Sequence, residues 1–255
     1  MNTLNNQKIL ITGASAGIGR AVAWALADKG AELYLLARRE AKLKELLFDL
    51  QVKFPEGKFH LILGDISDMG VQERISTLEL DVLFNNAGLA RGRDRVEDSK
   101  LSDWQEMIQT NITANFMTVH SVLGPMIARK KGDIINLCSI AGHATYPGGA
   151  VYCATKHAVL AFTKVLREET CGKNIRVMQI SPGMVNTEFS TVRFHGDKKA
   201  ADAVYADMTP LSGEDIARMV VFMLESPRHV VIDEIITMPL EQGSATTISR
   251  KARHP

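Results

Sequence analysis

Cysteine is scarce in this chain, and neither sign of charge dominates it. The three cysteines, Cys138, Cys153 and Cys171, are too few and too irregularly spaced for a disulfide framework or a zinc site. They point to a reducing compartment. The seven histidines (His60, His120, His143, His157, His195, His229, His254) include no H-x-x-x-H pair and no cysteine partner. No metal is therefore expected. Thirty Lys and Arg face 29 Asp and Glu, a net charge of +1. That balance lacks the electrostatic footprint of a nucleic-acid binder. No apolar run approaches the roughly 18 residues of a membrane span. The polar start, Met1 to Gln7, lacks the basic-then-apolar pattern of a signal peptide. The expectation is a cytoplasmic protein with no membrane or nucleic-acid partner.

What is present is ordinary globular composition, with 45% hydrophobic and 23% charged residues over 255 positions. That suffices for one large domain or two small ones. The runs Lys8–Thr12, Glu32–Ala37, Phe59–Leu63, Asp81–Phe84, Asp133–Cys138, Asn174–Ile180 and Glu234–Thr237 read as buried strands. Between them, helical apolar spacing predicts helices over Gly17–Lys29, Glu40–Lys53, Val71–Leu78, Leu101–Lys130, Val151–Glu169 and Glu214–Leu224. The long fourth helix is expected to be interrupted late, at Gly124-Pro125. Strand–helix alternation predicts an α/β fold: a single doubly wound Rossmann-type domain over residues 1–255, its seven-stranded parallel sheet covered by helices on both faces. Two segments break the rhythm. Arg91–Lys100 is a mixed-charge loop, and 190–210 is too long for an ordinary connection, which marks it as a substrate lid. The basic tail Arg250–Pro255 reads as a frayed terminus.

Between the first strand and first helix lies Thr12-Gly13-Ala14-Ser15-Ala16-Gly17-Ile18-Gly19. The glycines allow a tight turn and close backbone approach, and the helix then offers its free N–H groups to a pyrophosphate. The second strand ends in Ala37 and not in an acid, and Arg38-Arg39 follow. An acid there would grip the ribose 2′-OH of NAD, whereas guanidinium forks suit a 2′-phosphate. NADP(H) is the expected cofactor, with Ser15 as a further donor.

The spacing T-G-x-x-x-G-x-G resembles the short-chain dehydrogenase/reductase family. Further landmarks follow along essentially the whole chain. Asn85-Asn86-Ala87-Gly88 looks like the family's NNAG motif, and Asp65 matches the carboxylate that meets the adenine. Pro182-Gly183, with Val185 and Thr187, matches the nicotinamide-side turn. Ser139 precedes Tyr152, Lys156 stands four residues beyond that, and Asn111 lies in the preceding long helix. Together they match the family's Asn–Ser–Tyr–Lys set. The resemblance implies an oxidoreductase in which Tyr152 is general acid and base and Ser139 holds the carbonyl oxygen. Lys156 would hold the nicotinamide ribose and, with the cofactor's positive ring, lower the Tyr152 pKa. Asn111 would hold a water relaying protons from Lys156.

The stretches Gly183–Asp197 and Asn85–Ala90, with Met238-Pro239, are similar to the NADP-dependent 3-hydroxy-acid dehydrogenases. That resemblance implies a small 3-hydroxy acid, such as serine or L-allo-threonine, or its 3-oxo acid or semialdehyde. Arg193 is then a candidate grip for the carboxylate. Its alternative is a subunit or surface contact. Arg91 and Arg93 either tune preference toward acidic substrates or are simply solvated. A ketone or 3-oxoacyl reductase, or a non-catalytic NADP-binding redox sensor, are the alternative functions. The family resemblance also implies a homotetramer built on the two longest helices.

Overall fold

The computed structural model describes residues 4–250. Residues 1–3 of the polar start and residues 251–255 of the basic tail lie outside the described residues. Seven parallel strands form one sheet in the order β3-β2-β1-β4-β5-β6-β7. They are β1 (Lys8–Thr12), β2 (Glu32–Ala37), β3 (Phe59–Leu63), β4 (Val82–Asn85), β5 (Gly132–Leu137), β6 (Ile175–Pro182) and β7 (Glu234–Thr237). The main helices are α1 (Gly17–Asp28), α2 (Glu40–Lys53), α3 (Met69–Ser76), α4 (Leu101–Ile108), α5 (Asn115–Ala128), α6 (Ala150–Thr170), α7 (Phe189–Arg193), α8 (Lys198–Val204) and α9 (Gly213–Glu225). This is the Rossmann-type single domain expected from the alternation.

Strand pleating explains why both faces must be covered. Successive side chains point to opposite faces. Ile9 and Ile11 of β1 pack with Val22 and Leu26 of α1 and Ile216 and Val220 of α9, while Leu10 between them packs on the other side with Ile75 of α3, Val119 of α5 and Leu166 of α6. Neither face can be left to water, because both carry branched apolar side chains at zero exposure. The strand order reverses between β1 and β4, which pair in parallel with Ile9 beside Val82 and Ile11 beside Phe84. Ligands bind beyond the carboxyl ends of strands at such a switch point.

Three expectations need correction. The long helix is not interrupted at Gly124-Pro125; α5 runs through Pro125 to Ala128. Proline there removes one backbone donor, and the buried Val122 and Met126 hold the helix to the sheet regardless. The irregularity lies earlier, where Gln109–Ala114 forms a π-type turn between α4 and α5. Second, segment 190–210, for which no helix is expected from the sequence, holds most of α7 and all of α8. Third, several boundaries move by one or two residues, as where α3, capped by Asp68, begins at Met69, two residues before the expected start.

Candidate active site

A cleft of about 810 Å³ opens beyond the carboxyl ends of β1, β4, β5 and β6. Gly13, Ser15, Gly17, Ile18, Arg38, Arg39, Asp65, Asn86, Ala87 and Gly88 line it, with Ser139, Tyr152, Lys156, Pro182, Gly183, Val185, Thr187 and Arg193. Of the site residues expected from the sequence, Gly19 and Asn111 are the two that do not line it. Both stand directly behind its wall.

The glycine loop forms a cradle for a phosphate-bearing ligand. Gly13 adopts φ +68°, and a Cβ at Gly19 would stand 2.4 Å from the Gly13 carbonyl oxygen. Only bare backbone fits, which leaves the amino end of α1 accessible. No side chain caps that end, and no acidic residue lies in its first turn. Its N–H groups and positive dipole are therefore free for an anion. Asn86 braces the loop: its Nδ2 donates to the Thr12 carbonyl at 2.8 Å. The backbone N–H groups of Asn86 and Ala87 both donate to Thr12 Oγ1 at 2.9 Å. At one end of the cleft Arg38 donates to Asp65 at 3.2 Å, and Arg39 reaches Ser15 Oγ at 3.2 Å through Nη2. Burial would raise the Asp65 carboxyl, but hydrogen bonds from Ser67 and the Arg38 cation outweigh it and hold the group below its usual range. These residues fit NADP: a bare-backbone cradle, one guanidinium against Ser15 with a second on Asp65 in the same cleft, and no acid at the end of β2.

At the other end stand Ser139, Tyr152 and Lys156. Ser139 follows β5, and its Oγ accepts from Ala141 N at 3.1 Å. Lys156 is buried, and its Nζ donates to the Leu137 carbonyl at 3.0 Å. Burial lowers its pKa. Asn111 sits in the π-type turn, which offsets it from regular helical spacing. Its Oδ1 accepts from Leu89 N at 2.9 Å, and its Nδ2 donates to the Leu89 carbonyl at 2.8 Å and to Thr155 Oγ1 at 3.1 Å. The amide thus clasps the chain beyond the NNAG turn to α6.

Tyr152 departs from expectation. Burial pushes its phenol far up, Tyr146 adds to this, and hydrogen bonding from Ser139 and the Arg193 cation oppose it. The Lys156 ammonium lies 5.9 Å from the ring centre. Burial dominates over any lowering by Lys156, because a buried phenol loses much of the solvation its anion needs. At neutral pH the group is a protonated donor.

Arg193 ends α7 with its guanidinium 5.6 Å from the Tyr152 ring centre. It donates to the Gly92 carbonyl at 3.0 Å, to Tyr146 Oη at 3.3 Å and to the Gly148 carbonyl at 3.5 Å. No carboxylate lies within ion-pair distance of it among the described residues. Arg91 is different: it forks onto Glu106 at 2.6 and 2.9 Å and donates to the Val192 carbonyl at 2.7 Å. It is not a loosely solvated cation: it fastens α7 while lining the cleft. Sequence reasoning missed Tyr146, Phe189 (ring 5.7 Å from Tyr152), and Lys42 with Glu188. None carries a local motif, since each meets its partner across long stretches of chain.

Comparison with known proteins follows this geometry closely. The family model described as short chain dehydrogenase matches residues 7–198. An NADP-dependent 3-hydroxy acid dehydrogenase of Schizosaccharomyces pombe is 43% identical over 258 residues, covering 98% of this chain and 99% of the relative. A sulfoacetaldehyde reductase 2 of Chromohalobacter salexigens is 40% identical, covering 95% of this chain and 98% of the relative. The closed form of a serine dehydrogenase complexed with NADP+ superposes with a TM-score of 0.89 at 34% identity, covering 96% of this chain and all of that one.

Proposed function

The chain belongs to the short chain dehydrogenase family, and on that premise we propose that this NADP-dependent oxidoreductase interconverts a small 3-hydroxy acid and its 3-oxo acid or semialdehyde. Bound NADPH would supply the hydride. The glycine loop and the amino end of α1 would hold its pyrophosphate, Arg38 and Arg39 its 2′-phosphate, and Lys156 its ribose. The remaining chemistry falls to side chains. Tyr152, kept protonated by burial, donates a proton to the oxygen of the reduced carbonyl. Ser139, exposed to the cleft beside it, hydrogen-bonds that oxygen as charge develops. Asn111 holds Leu89 and Thr155 in register, so that α6 presents Tyr152 and Lys156 to the cleft.

One observation carries the choice of substrate class. Arg193 offers a guanidinium beside the Tyr152 ring, and its partners are two carbonyls and a phenol, not a carboxylate. A cation beside the reacting oxygen suits an acid whose carboxylate lies close to its carbonyl. The names of two relatives, a 3-hydroxy acid dehydrogenase and a sulfoacetaldehyde reductase, describe small anionic substrates, a carboxylate in one and a sulfonate in the other. The segment 190–210 acts as the lid, since α7 brings both Phe189 and Arg193 to Tyr152. The Phe116–Phe162 stack, centroids 3.9 Å apart, joins α5 to α6, the helices on which a homotetramer would assemble. A panel of malonic semialdehyde, 3-hydroxypropionate, serine, 3-hydroxybutyrate, short neutral ketones and an acyl thioester tests the reading. NADP-linked turnover should favour the acids. Good activity on neutral ketones with none on any 3-hydroxy or 3-oxo acid would overturn it.

A further inference from the structure

Glu188 is the residue immediately before α7, yet its carboxylate reaches the segment that follows β2. Arg39 Nη1 donates to Glu188 Oε2 at 2.6 Å, and Lys42 Nζ pairs with Oε1. The hydrogen bonds from Lys42 and then Arg39 hold the Glu188 carboxyl below its usual range, so it stays ionised at neutral pH. The opposite edge of the same guanidinium faces the glycine loop. Arg39 Nε and Nη2 lie 3.4 and 3.2 Å from Ser15 Oγ. A guanidinium grips an oxyanion through two parallel N–H groups on one edge. Glu188 therefore holds Arg39 by one corner and turns its Nε–Nη2 edge toward Ser15.

The charge balance makes this arrangement productive. Arg38 is matched by Asp65, and Glu188 is matched by Lys42. The charge of Arg39 is thus left over for a ligand, although a carboxylate touches it. Without Lys42, Glu188 would cancel the cation it positions.

We propose that Glu188 is a positioning residue for cofactor choice: from the substrate-side segment, it orients Arg39 toward the 2′-phosphate of NADP(H), with Lys42 offsetting its charge. The inference rests on Arg39 as a 2′-phosphate ligand. Fluorescence titration of the full chain with NADPH and with NADH tests both, and needs no substrate. The proteins are wild type, Arg39→Ala, Glu188→Gln and the double variant. Glu188→Gln keeps the shape of a side chain that is half exposed and should leave the melting temperature unchanged.

Glu188→Gln should weaken NADPH roughly tenfold, the scale of one oriented charge-assisted hydrogen bond, and change NADH by less than about twofold. In the Arg39→Ala background it should change neither, because its effect runs through Arg39. If Arg39→Ala leaves NADPH binding intact, the assignment of Arg39 falls and this inference with it. If Arg39→Ala weakens NADPH but Glu188→Gln leaves both cofactors unaffected, strengthens NADPH, shifts both equally, or adds fully to Arg39→Ala, the inference alone is overturned.

Discussion

Replacing Arg193 with methionine keeps an unbranched apolar stem and removes the guanidinium and its charge. The magnitude follows from its surroundings. Its two longest hydrogen bonds, 3.3 Å to Tyr146 Oη and 3.5 Å to the Gly148 carbonyl, are made by the two terminal nitrogens. Those nitrogens are the ones free to turn onto a carboxylate, while Nε stays on Gly92 at 3.0 Å. A hydrogen bond to a charged group contributes about 1.5–3 kcal/mol, so losing it should cost roughly 10- to 150-fold in kcat/KM for an acid. The substitution has a second effect. The Arg193 cation opposes the burial that raises the Tyr152 phenol, so its removal alters proton donation as well. That effect is common to every carbonyl. The ratio of kcat/KM for malonic semialdehyde to that for a neutral ketone of the same length therefore isolates the anion contact. The assay is NADPH oxidation followed by absorbance, with NADPH affinity measured alongside. A ratio that falls about tenfold or more supports the account. A ratio unchanged within about twofold, whatever the absolute loss, refutes the carboxylate role.

Three further outcomes are expected. In Gly19→Ala the added Cβ meets the Gly13 carbonyl oxygen at 2.4 Å, so the loop must shift by a substantial part of an ångström. Turnover should fall roughly 10²-fold with weakened NADPH binding, and near-normal binding would contradict the cradle. Asp133→Ala strands the buried guanidinium of Arg176, which it now grips at 2.7 and 2.8 Å. About 3–5 kcal/mol of stability should be lost, a drop of roughly 6–20 °C in Tm by thermal denaturation, and a shift under about 3 °C would reject it. The raised Tyr152 phenol predicts a pH profile with a definite sign. Burial disfavours the phenolate, so the proton needed for reduction stays in place from about pH 6 to 9 and kcat/KM for reduction is flat there. A tenfold fall in reduction between about pH 7 and 9 would show a phenol ionising near neutrality.

Much of the architecture was legible because its signals are local. Five-residue strands such as Lys8–Thr12 and Phe59–Leu63 announce themselves by branched apolar runs, and Gly30 ends the first helical unit with φ +73°. The Gly13–Gly19 loop, Ser139, Tyr152 and Lys156 were legible because fixed spacing on known elements carries them to one crevice. What escaped was everything set by tertiary partners. The π-type turn at Gln109–Ala114 has no periodic signature, since Asn111 is shifted to satisfy Leu89 and Thr155 from other segments. Arg91 reads as a solvated loop cation until Glu106 and the Val192 carbonyl appear beside it. The rise in the Tyr152 pKa comes from burial, with Tyr146 adding to it, which no pairwise spacing with Lys156 reveals. The Glu188 contact with Lys42 and Arg39 links positions at opposite ends of the catalytic half of the chain.

In the proposed reaction Tyr152 delivers the proton to an anionic carbonyl substrate reduced by NADPH. The most direct test of this role compares wild type and Tyr152→Phe for NADPH-driven reduction of the best acid in the panel, with NADPH binding titrated on the same samples. The account predicts unchanged NADPH affinity and turnover reduced by roughly 10²- to 10⁴-fold, the contribution of a positioned general acid. Turnover within about threefold of wild type in Tyr152→Phe would contradict it.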